Sequence, residues 1–172
     1  MKPYIHTALL IFMCGLCSKG VSQDKASIIK DIRKEYHRIN SISSFHVVKL
    51  DGADFTEETL DGGAELTAYY KKDSLLKITE WVGLSYGNRS REYYFKNKQL
   101  FFIFESFDSF VETKDGLDHS KTKNSFQGRY YFSNTKLIHK IISGTKPFDD
   151  EPLSQLQIDA QNNIKLINSK KK

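Results

Sequence analysis

Histidine and carboxylate side chains are the groups in this 172-residue chain best suited to acid–base catalysis or metal binding. The spacing of the histidines matches no familiar reaction centre. Four histidines follow the N-terminal segment: His37, His46, His119 and His139. None of them is spaced from another ligand as a metal site requires. A glycine-rich phosphate loop and an HExxH helix are also missing from the sequence. We therefore expect no metal and no cofactor, and the sequence favours a protein that is not an enzyme while leaving activity open.

An acidic run separates the first predicted strand from the first predicted hairpin. It lacks the alternating ligand spacing of a calcium-binding loop, so we interpret it as a solvated connection. Its members are Asp51, Asp54, Glu57, Glu58 and Asp61.

Two further carboxylates fall inside predicted strands. Counting along the strands places Glu80 on the apolar face opposite Thr67, near Arg91 at a sheet edge, and Glu105 on the other face. The same count places Arg91 and Arg129 on opposite faces. These two arginines are therefore not expected to share one anion.

The elements that position these groups are set by an eight-residue phrase that occurs three times. Each copy has two tyrosines, two variable residues, Asp or Asn, two variable residues and Leu, which predicts a strand, a tight turn and a second strand. The turns are expected at Asp73-Ser74, Asn97-Lys98 and Asn134-Thr135, because Asn and Asp tolerate positive φ. The copies begin at Tyr69, Tyr93 and Tyr130.

Counting outward from these turns predicts cross-strand pairs. Phe95 then faces Leu100, and Tyr93 faces Phe102. In the same way Phe132 faces Leu137, Tyr130 faces His139, and Tyr69 faces Ile78. One face becomes almost wholly apolar and is the predicted core, covered by an N-terminal helix. Its members are Tyr69, Leu76, Ile78, Tyr93, Phe95, Leu100, Phe102, Phe104, Tyr130, Phe132, Leu137 and Ile141.

The opposite face mixes large aromatic side chains with long charged ones, where a solvated sheet face is normally polar. Tyr, Trp and Arg are enriched in interface hot spots, so this face is a candidate surface for an unknown protein or an apolar ligand. Cover by the C-terminal segment and plain exposure are the alternatives. The candidate binding residues are Tyr70, Trp81, Tyr94, Phe101, Tyr131 and Arg129.

The remaining pattern completes an α+β fold, with an N-terminal helix on a mainly antiparallel meander of six or seven strands. Apolar residues recur at helical spacing over residues 24–42, and a short strand is predicted at residues 45–50. The hairpins span roughly residues 64–82, 90–106 and 126–143, with a long polar loop at residues 108–125. A C-terminal helix follows, and acidic residues and Pro at residues 149–152 indicate its start. A strand at residues 163–167 is the alternative.

The first 22 residues have the pattern of a secretory signal peptide, with a basic start, a short apolar stretch and a cut expected before Gln23. The stretch is too short to span a bilayer, so no transmembrane segment is expected after processing. Cys14 and Cys17 both lie within it, and the residues before them disfavour the alternative of a lipoprotein. We expect an exported protein, periplasmic or secreted. The lack of disulfides in the predicted mature chain suits a bacterial exported protein better than an animal one.

The mature chain is predicted to form one domain over residues 23–168, followed by a basic tail at residues 169–172. Removal of Lys2 and Lys19 lowers the formal net charge from +5 to +3, and three of these charges are tail lysines. The folded part is thus near neutral, and nucleic-acid binding is not expected.

The layout of a helix followed by a meander resembles cystatin-like domains, domains of the nuclear-transport-factor type and the half-barrel carriers of bacterial periplasms. The hairpin phrase is similar to the Tyr-Tyr-x-x-Asn-Gly repeats of some bacterial exported and antitoxin proteins, although every copy lacks the Gly. These resemblances concern topology and a short motif, and a shared fold does not by itself imply a function. The sequence as a whole leaves three hypotheses. The first is an exported, non-enzymatic binding module that uses the outer sheet face or the loop at residues 108–125 to contact a protein or ligand. The second is a carrier of an apolar small molecule, and the third is an enzyme of the nuclear-transport-factor type built around His139 and a carboxylate.

Overall fold

The computed structural model describes residues 18–56, 60–147 and 152–170, with side chains from residue 24 onward. The predicted signal segment up to residue 17, Glu57, Glu58, the predicted helix start at residues 149–151 and the last two lysines lie outside the described residues. The elements, in chain order, are α1 (Ser18–Asn40), β1 (His46–Asp51), α2 (Gly52–Phe55), β2 (Ala64–Lys71), β3 (Ser74–Leu84), β4 (Gly87–Lys96), β5 (Gln99–Thr113), β6 (Gly116–Ser133), β7 (Lys136–Gly144) and α3 (Leu153–Lys170).

The seven strands form one antiparallel sheet in which every strand pairs with its neighbours in sequence. This confirms the α+β fold with an N-terminal helix and a meander. The predicted helix at residues 24–42 corresponds to α1, and the predicted strand at residues 45–50 corresponds to β1. The C-terminal segment forms the helix α3, so the alternative of a final strand is wrong.

The tyrosine phrase does form hairpins with two-residue turns. Asn97, Lys98, Asn134 and Thr135 all have positive φ, between 48° and 65°. Such pairs of left-handed residues match the twist of the flanking strands. The first turn is displaced by one residue from the prediction, because Lys71 pairs with Ser74 and leaves Lys72 and Asp73 in the turn. Relative to its turn, each residue of the first copy therefore lies one position later than the corresponding residue of the other two copies.

Each hairpin also contains a β-bulge at the same place, which the sequence analysis did not anticipate. Phe95 pairs with Leu100 as predicted, but Tyr94 pairs with Phe102, so Phe101 is the extra residue. The register therefore shifts by one beyond the bulge, and Tyr93 faces Ile103 rather than Phe102.

Equivalent bulges lie in the other two hairpins, with Leu76 and Ile138 as the extra residues. In the third hairpin Phe132 pairs with Leu137 as predicted. Tyr130, however, faces Lys140 and not His139, and Tyr69 in the first hairpin faces Lys77 and not Ile78. In the second and third hairpins the predicted pairs are wrong beyond the bulge, because a plain two-residue count has no place for an extra residue. In the first hairpin the displaced turn also changes the register.

Both faces of the sheet are covered, one by each long helix. On one face α3 packs on the first core, whose buried members include Leu66, Tyr70, Ile78, Tyr93, Phe95, Ile103, Tyr130 and Phe132. On the other face α1 packs on the second core, which includes Ile32, Ile39, Tyr94, Phe101, Phe102 and Tyr131. The prediction that α1 covers the face of Tyr93 and Phe95 is wrong, because α3 holds that position. Leu76, Phe102, Phe104 and Ile141, predicted on that face, pack with α1 instead.

The predicted loop at residues 108–125 is wrong as well. Strands β5 and β6 continue through it as a two-stranded ribbon, with Phe110 paired to Thr122 and Thr113 paired to Gly116. The Oγ atoms of Ser109 and Ser125 are hydrogen-bonded at 2.8 Å where the ribbon leaves the sheet. A ribbon that is wet on both faces has no apolar alternation, so its polar sequence resembles a loop. Its predicted role as a contact surface stays a prediction.

Candidate functional site

The six predicted binding residues do not form one open surface. Trp81 is 37% exposed, whereas Tyr94, Phe101 and Tyr131 are buried in the core beneath α1. Tyr70 is buried in the other core, beneath α3. The expectation that these residues share one accessible face is wrong for two reasons: α1 covers this face, and the displaced first turn puts Tyr70 on the opposite side. Their predicted role in binding is a separate matter that burial does not test.

A cleft of about 480 Å³ opens between α1 and strands β5–β7, and it contains two of the six residues, Arg129 and Tyr131. Cross-strand pairing arranges its floor, because Phe102 faces Tyr131 and Phe104 faces Arg129. Ile141 on β7 lies opposite Arg129. Helix α1 supplies the other wall through Ile32, Arg33, Tyr36 and His37.

The inner end of this cleft is built from packed aromatic rings. The ring centroid of Tyr36 is 5.0 Å from that of Tyr94 and 5.2 Å from that of Phe102, both in edge-to-face contact. The rings of Phe102 and Tyr131 are 5.0 Å apart. Such contacts contribute beyond the area they bury, and they hold the helix at a fixed height above the sheet.

Polar groups fix the C-terminal end of α1 to the same face of the sheet. The hydroxyl of Tyr94 donates to Glu92, and Nδ2 of Asn40 donates to that hydroxyl at 3.0 Å. Burial raises the pKa of the Tyr94 hydroxyl, and the adjacent charge of Glu92 raises it further. The hydroxyl therefore keeps its proton, and Lys77 holds Glu92 from the other side at 3.2 Å.

The charged groups that line the cleft are all basic. Cζ of Arg33 lies 5.8 Å from the centroid of the Tyr131 ring, and Cζ of Arg129 lies 5.1 Å from that of Phe104. Cation–π contacts of this kind position a guanidinium without neutralising it. Nη2 of Arg129 also donates to Oε1 of Gln127 at 3.0 Å. His37 adds a third nitrogen base, and no carboxylate is among the residues that line the cleft.

The other three of the chain's five arginines are paired with carboxylates. Arg38 binds Glu35 on the surface of α1. Arg89 binds Glu80 on the α3 side of the sheet. Arg91 binds Glu105 and Asp159 there as well. Within the described part of the chain, Arg33 and Arg129 take part in no ion pair.

The pairing of Arg91 and Glu105 is the centre of a buried network beneath α3. Nε of Arg91 donates to Oε1 of Glu105 at 2.9 Å, and Nη1 donates to Oδ2 of Asp159 at 3.1 Å. Nζ of Lys146 lies 3.0 Å from Oε2 of Glu105. Burial alone would raise the pKa of the Glu105 carboxyl, but the charges of Arg91 and Lys146 outweigh it and lower that pKa. The prediction of Glu105 on the outer face is wrong, because the bulge between Tyr94 and Phe95 moves it to the α3 side.

Glu80 belongs to the same side of the sheet. It accepts hydrogen bonds from Arg89 at 3.0 Å and from Tyr93 and Asn163, each at 3.2 Å. Its cross-strand neighbours are Leu66 and Arg91, so the predicted partner Thr67 is wrong and the predicted nearness to Arg91 is confirmed. The predicted position at a sheet edge is wrong, because β3 is paired on both sides. A second cavity of about 620 Å³ borders this network. Its charged groups bind one another, so we interpret the network as the link between α3 and the sheet.

Two features bear on enzymatic chemistry. The segment Gly83-Leu84-Ser85-Tyr86-Gly87 matches the GxSxG pattern, but it forms the β3–β4 hairpin rather than the strand-to-helix elbow of hydrolases. His139 pairs with Tyr131 rather than Tyr130, and its ring centroid lies 5.5 Å from that of Tyr131. Among the described residues, no carboxylate forms an ion pair or hydrogen bond with His139.

The residues of α1 that line the cleft were not among those predicted from the sequence. Arg33 and His37 are four residues apart, and Ile32 and Tyr36 repeat the same spacing one position earlier. Neighbours at this spacing share a helix face, so a basic pair next to an apolar pair was the available signal.

Within residues 18–56, 60–147 and 152–170, no group of three or more His, Cys, Asp or Glu side chains is placed to hold a metal ion. In the same residues, no helix combines the length and apolarity needed to cross a membrane. Comparison of the chain with protein-family models, curated proteins and solved structures gives no match.

Proposed function

We propose that this chain is an exported, non-enzymatic binding module and that the cleft between α1 and strands β5–β7 is its ligand site. The observation that carries the proposal is the cleft itself. Its volume of about 480 Å³ lies within the range of roughly 300–1,000 Å³ that is typical of small-molecule sites. Apolar and aromatic side chains line most of it, with a few polar groups at its edge, as such sites generally require. Export is inferred from the composition of residues 1–22.

The composition of the walls favours a ligand with an apolar body. Phe102, Phe104, Tyr36 and Tyr131 offer ring faces and edges, and burial of apolar ligand area against them would contribute about 25 cal/mol per Å² before the costs of association. A carrier would use the same cleft but would retain its ligand through purification. Native mass spectrometry of the freshly purified protein is expected to detect a bound apolar molecule if the chain is a carrier.

A nuclear magnetic resonance titration with 2-naphthamide, a neutral aromatic probe, tests the site. We expect amide shifts confined to α1 near Tyr36 and to the facing parts of β5, β6 and β7. The variant Ile141→Trp fills the cleft and should abolish these shifts. Ile142→Trp is the matched control, because Ile142 is the next residue, points to the other face and is exposed.

Shifts that persist in Ile141→Trp, or that map to the α3 side of the sheet, would contradict the proposal. The enzyme alternative has a separate test. Any activity that the purified chain displays should disappear in His139→Ala if that alternative holds.

A further inference from the structure

We infer that the ligand of this cleft carries an anionic group beside its apolar body, and that Arg33 and Arg129 bind that group from opposite walls. The inference rests on the proposed function and adds the chemical class of the ligand: a small amphiphilic anion, such as an aromatic carboxylate. The first ground is charge complementarity. Two guanidinium groups and an imidazole line the cleft, and no carboxylate does.

The second ground is the contrast among the arginines. A guanidinium in a partly dry site binds carboxylates through charge-assisted, often bidentate hydrogen bonds. Arg89 and Arg91 follow this rule with acids of the chain itself, and the exposed Arg38 pairs with Glu35. Arg33 and Arg129 have no ion pair among the described residues, and both line the same cleft although they come from different elements. One anionic group of a ligand could form ion pairs with both arginines.

The third ground is preorganisation. Each of the two guanidinium groups lies over an aromatic ring, Arg33 over Tyr131 and Arg129 over Phe104. Gln127 provides a further hydrogen-bond contact for Arg129. A guanidinium has five donors, and a neutral amide partner engages one of them without cancelling the charge. Contacts that restrict a side chain before the ligand arrives lower the entropy cost of binding.

The orientation of the ligand follows from these positions. Phe102, Phe104 and Tyr131 form adjoining parts of one floor because they pair across β5 and β6. An aromatic body lying on Phe102 and Tyr36 would bring its anionic end between the two guanidinium groups. Ile141, the cross-strand neighbour of Arg129, would then lie beside the anionic end.

Calorimetric titration with 2-naphthoate and 2-naphthamide tests this inference, because the two probes share one shape and differ in charge. We expect 2-naphthoate to bind at least about tenfold more tightly, since hydrogen bonds to charged groups are the stronger class. Arg33→Met and Arg129→Met should each weaken naphthoate binding by about tenfold and leave naphthamide binding unchanged. Arg129→Lys should recover part of the loss.

Arg38→Met is the matched control, because Arg38 is on the same helix, carries the same charge and lies outside the cleft. It should bind 2-naphthoate like the unmodified chain, and dispersed amide spectra should establish that each variant is folded. Equal affinity for the two probes, an unchanged naphthoate affinity in both Met variants, or no naphthoate binding would overturn the inference. Equal affinities with naphthamide still located in the cleft would leave the proposed function standing, whereas naphthamide binding elsewhere would remove both.

Discussion

Replacing Arg91 by Met is expected to destabilise the fold more than any substitution of an exposed charge. The side chain of Arg91 is 2% exposed, and it links β5 to α3 through Glu105 and Asp159. Met keeps much of the apolar length of the side chain. The substitution therefore removes the charge and its hydrogen bonds while leaving most of the packing in place.

The loss of unfolding free energy depends on how well the buried Glu105 carboxylate is compensated once Arg91 is removed. Glu105 is 0% exposed and would keep only Lys146 and Tyr130 as hydrogen-bonded or ionic neighbours among the described residues. Removing one partner of a buried ion pair costs about 3–5 kcal/mol, because the other charge stays buried and unsatisfied. Lys146 still compensates part of the charge, so we expect a value near 3 kcal/mol. That is a large fraction of a typical unfolding free energy of roughly 5–15 kcal/mol.

Urea unfolding followed by circular dichroism measures this difference. Arg38→Met is the control, because the exposed Arg38–Glu35 pair on α1 should contribute less than about 1 kcal/mol. The double variant Arg91→Met with Glu105→Leu should lose less than the two single losses combined, since the orphaned charge is removed too. A loss below about 1 kcal/mol in Arg91→Met would refute the reasoning that the network fixes α3 to the sheet.

Three further predictions concern the core, a turn and the effect of pH. Tyr94→Ala should cost about 3–5 kcal/mol in urea unfolding because Tyr94 is fully buried, whereas Trp81→Ala at the surface should cost far less; equal losses would contradict the two-core packing. Thr135→Gly should raise the unfolding free energy by about 1 kcal/mol, because a β-branched residue at a φ of 65° is strained; a loss of stability would argue against this turn. The lowered pKa of Glu105 stabilises the fold at pH values above the usual carboxyl range, and this stability should be lost as pH falls through the folded-state pKa. In urea unfolding at a series of pH values, Glu105→Gln should therefore reduce the loss of unfolding free energy at acidic pH. An unchanged loss would exclude Glu105 as its source.

The elements and their order could be predicted from the sequence, because helical spacing and the tyrosine phrase are local signals. The assignment of faces could not. Tyr93, Tyr94 and Phe95 are consecutive large apolar residues, so alternation does not say which side each one takes. Such runs are typical of strands that are buried on both faces, and this was the overlooked sign that each face has its own helix.

The bulges escaped prediction because an extra strand residue has no distinct composition here. Leu76, Phe101 and Ile138 are apolar like their neighbours, and only the pairing of the strands identifies them as extra. Arg129 and Tyr131 were among the predicted binding residues, and both do line the cleft. Arg33 and His37 were missed because their proximity to the sheet depends on which face α1 covers.

A crystal structure with bound 6-bromo-2-naphthoate would test the central claim most directly, because the anomalous signal of bromine locates the ligand. We expect a bromine peak in the cleft between α1 and strands β5–β7, with the carboxylate within hydrogen-bond distance of Arg33 and Arg129. A bromine peak beside Arg91 under α3, or a carboxylate turned away from both cleft arginines, would contradict the account.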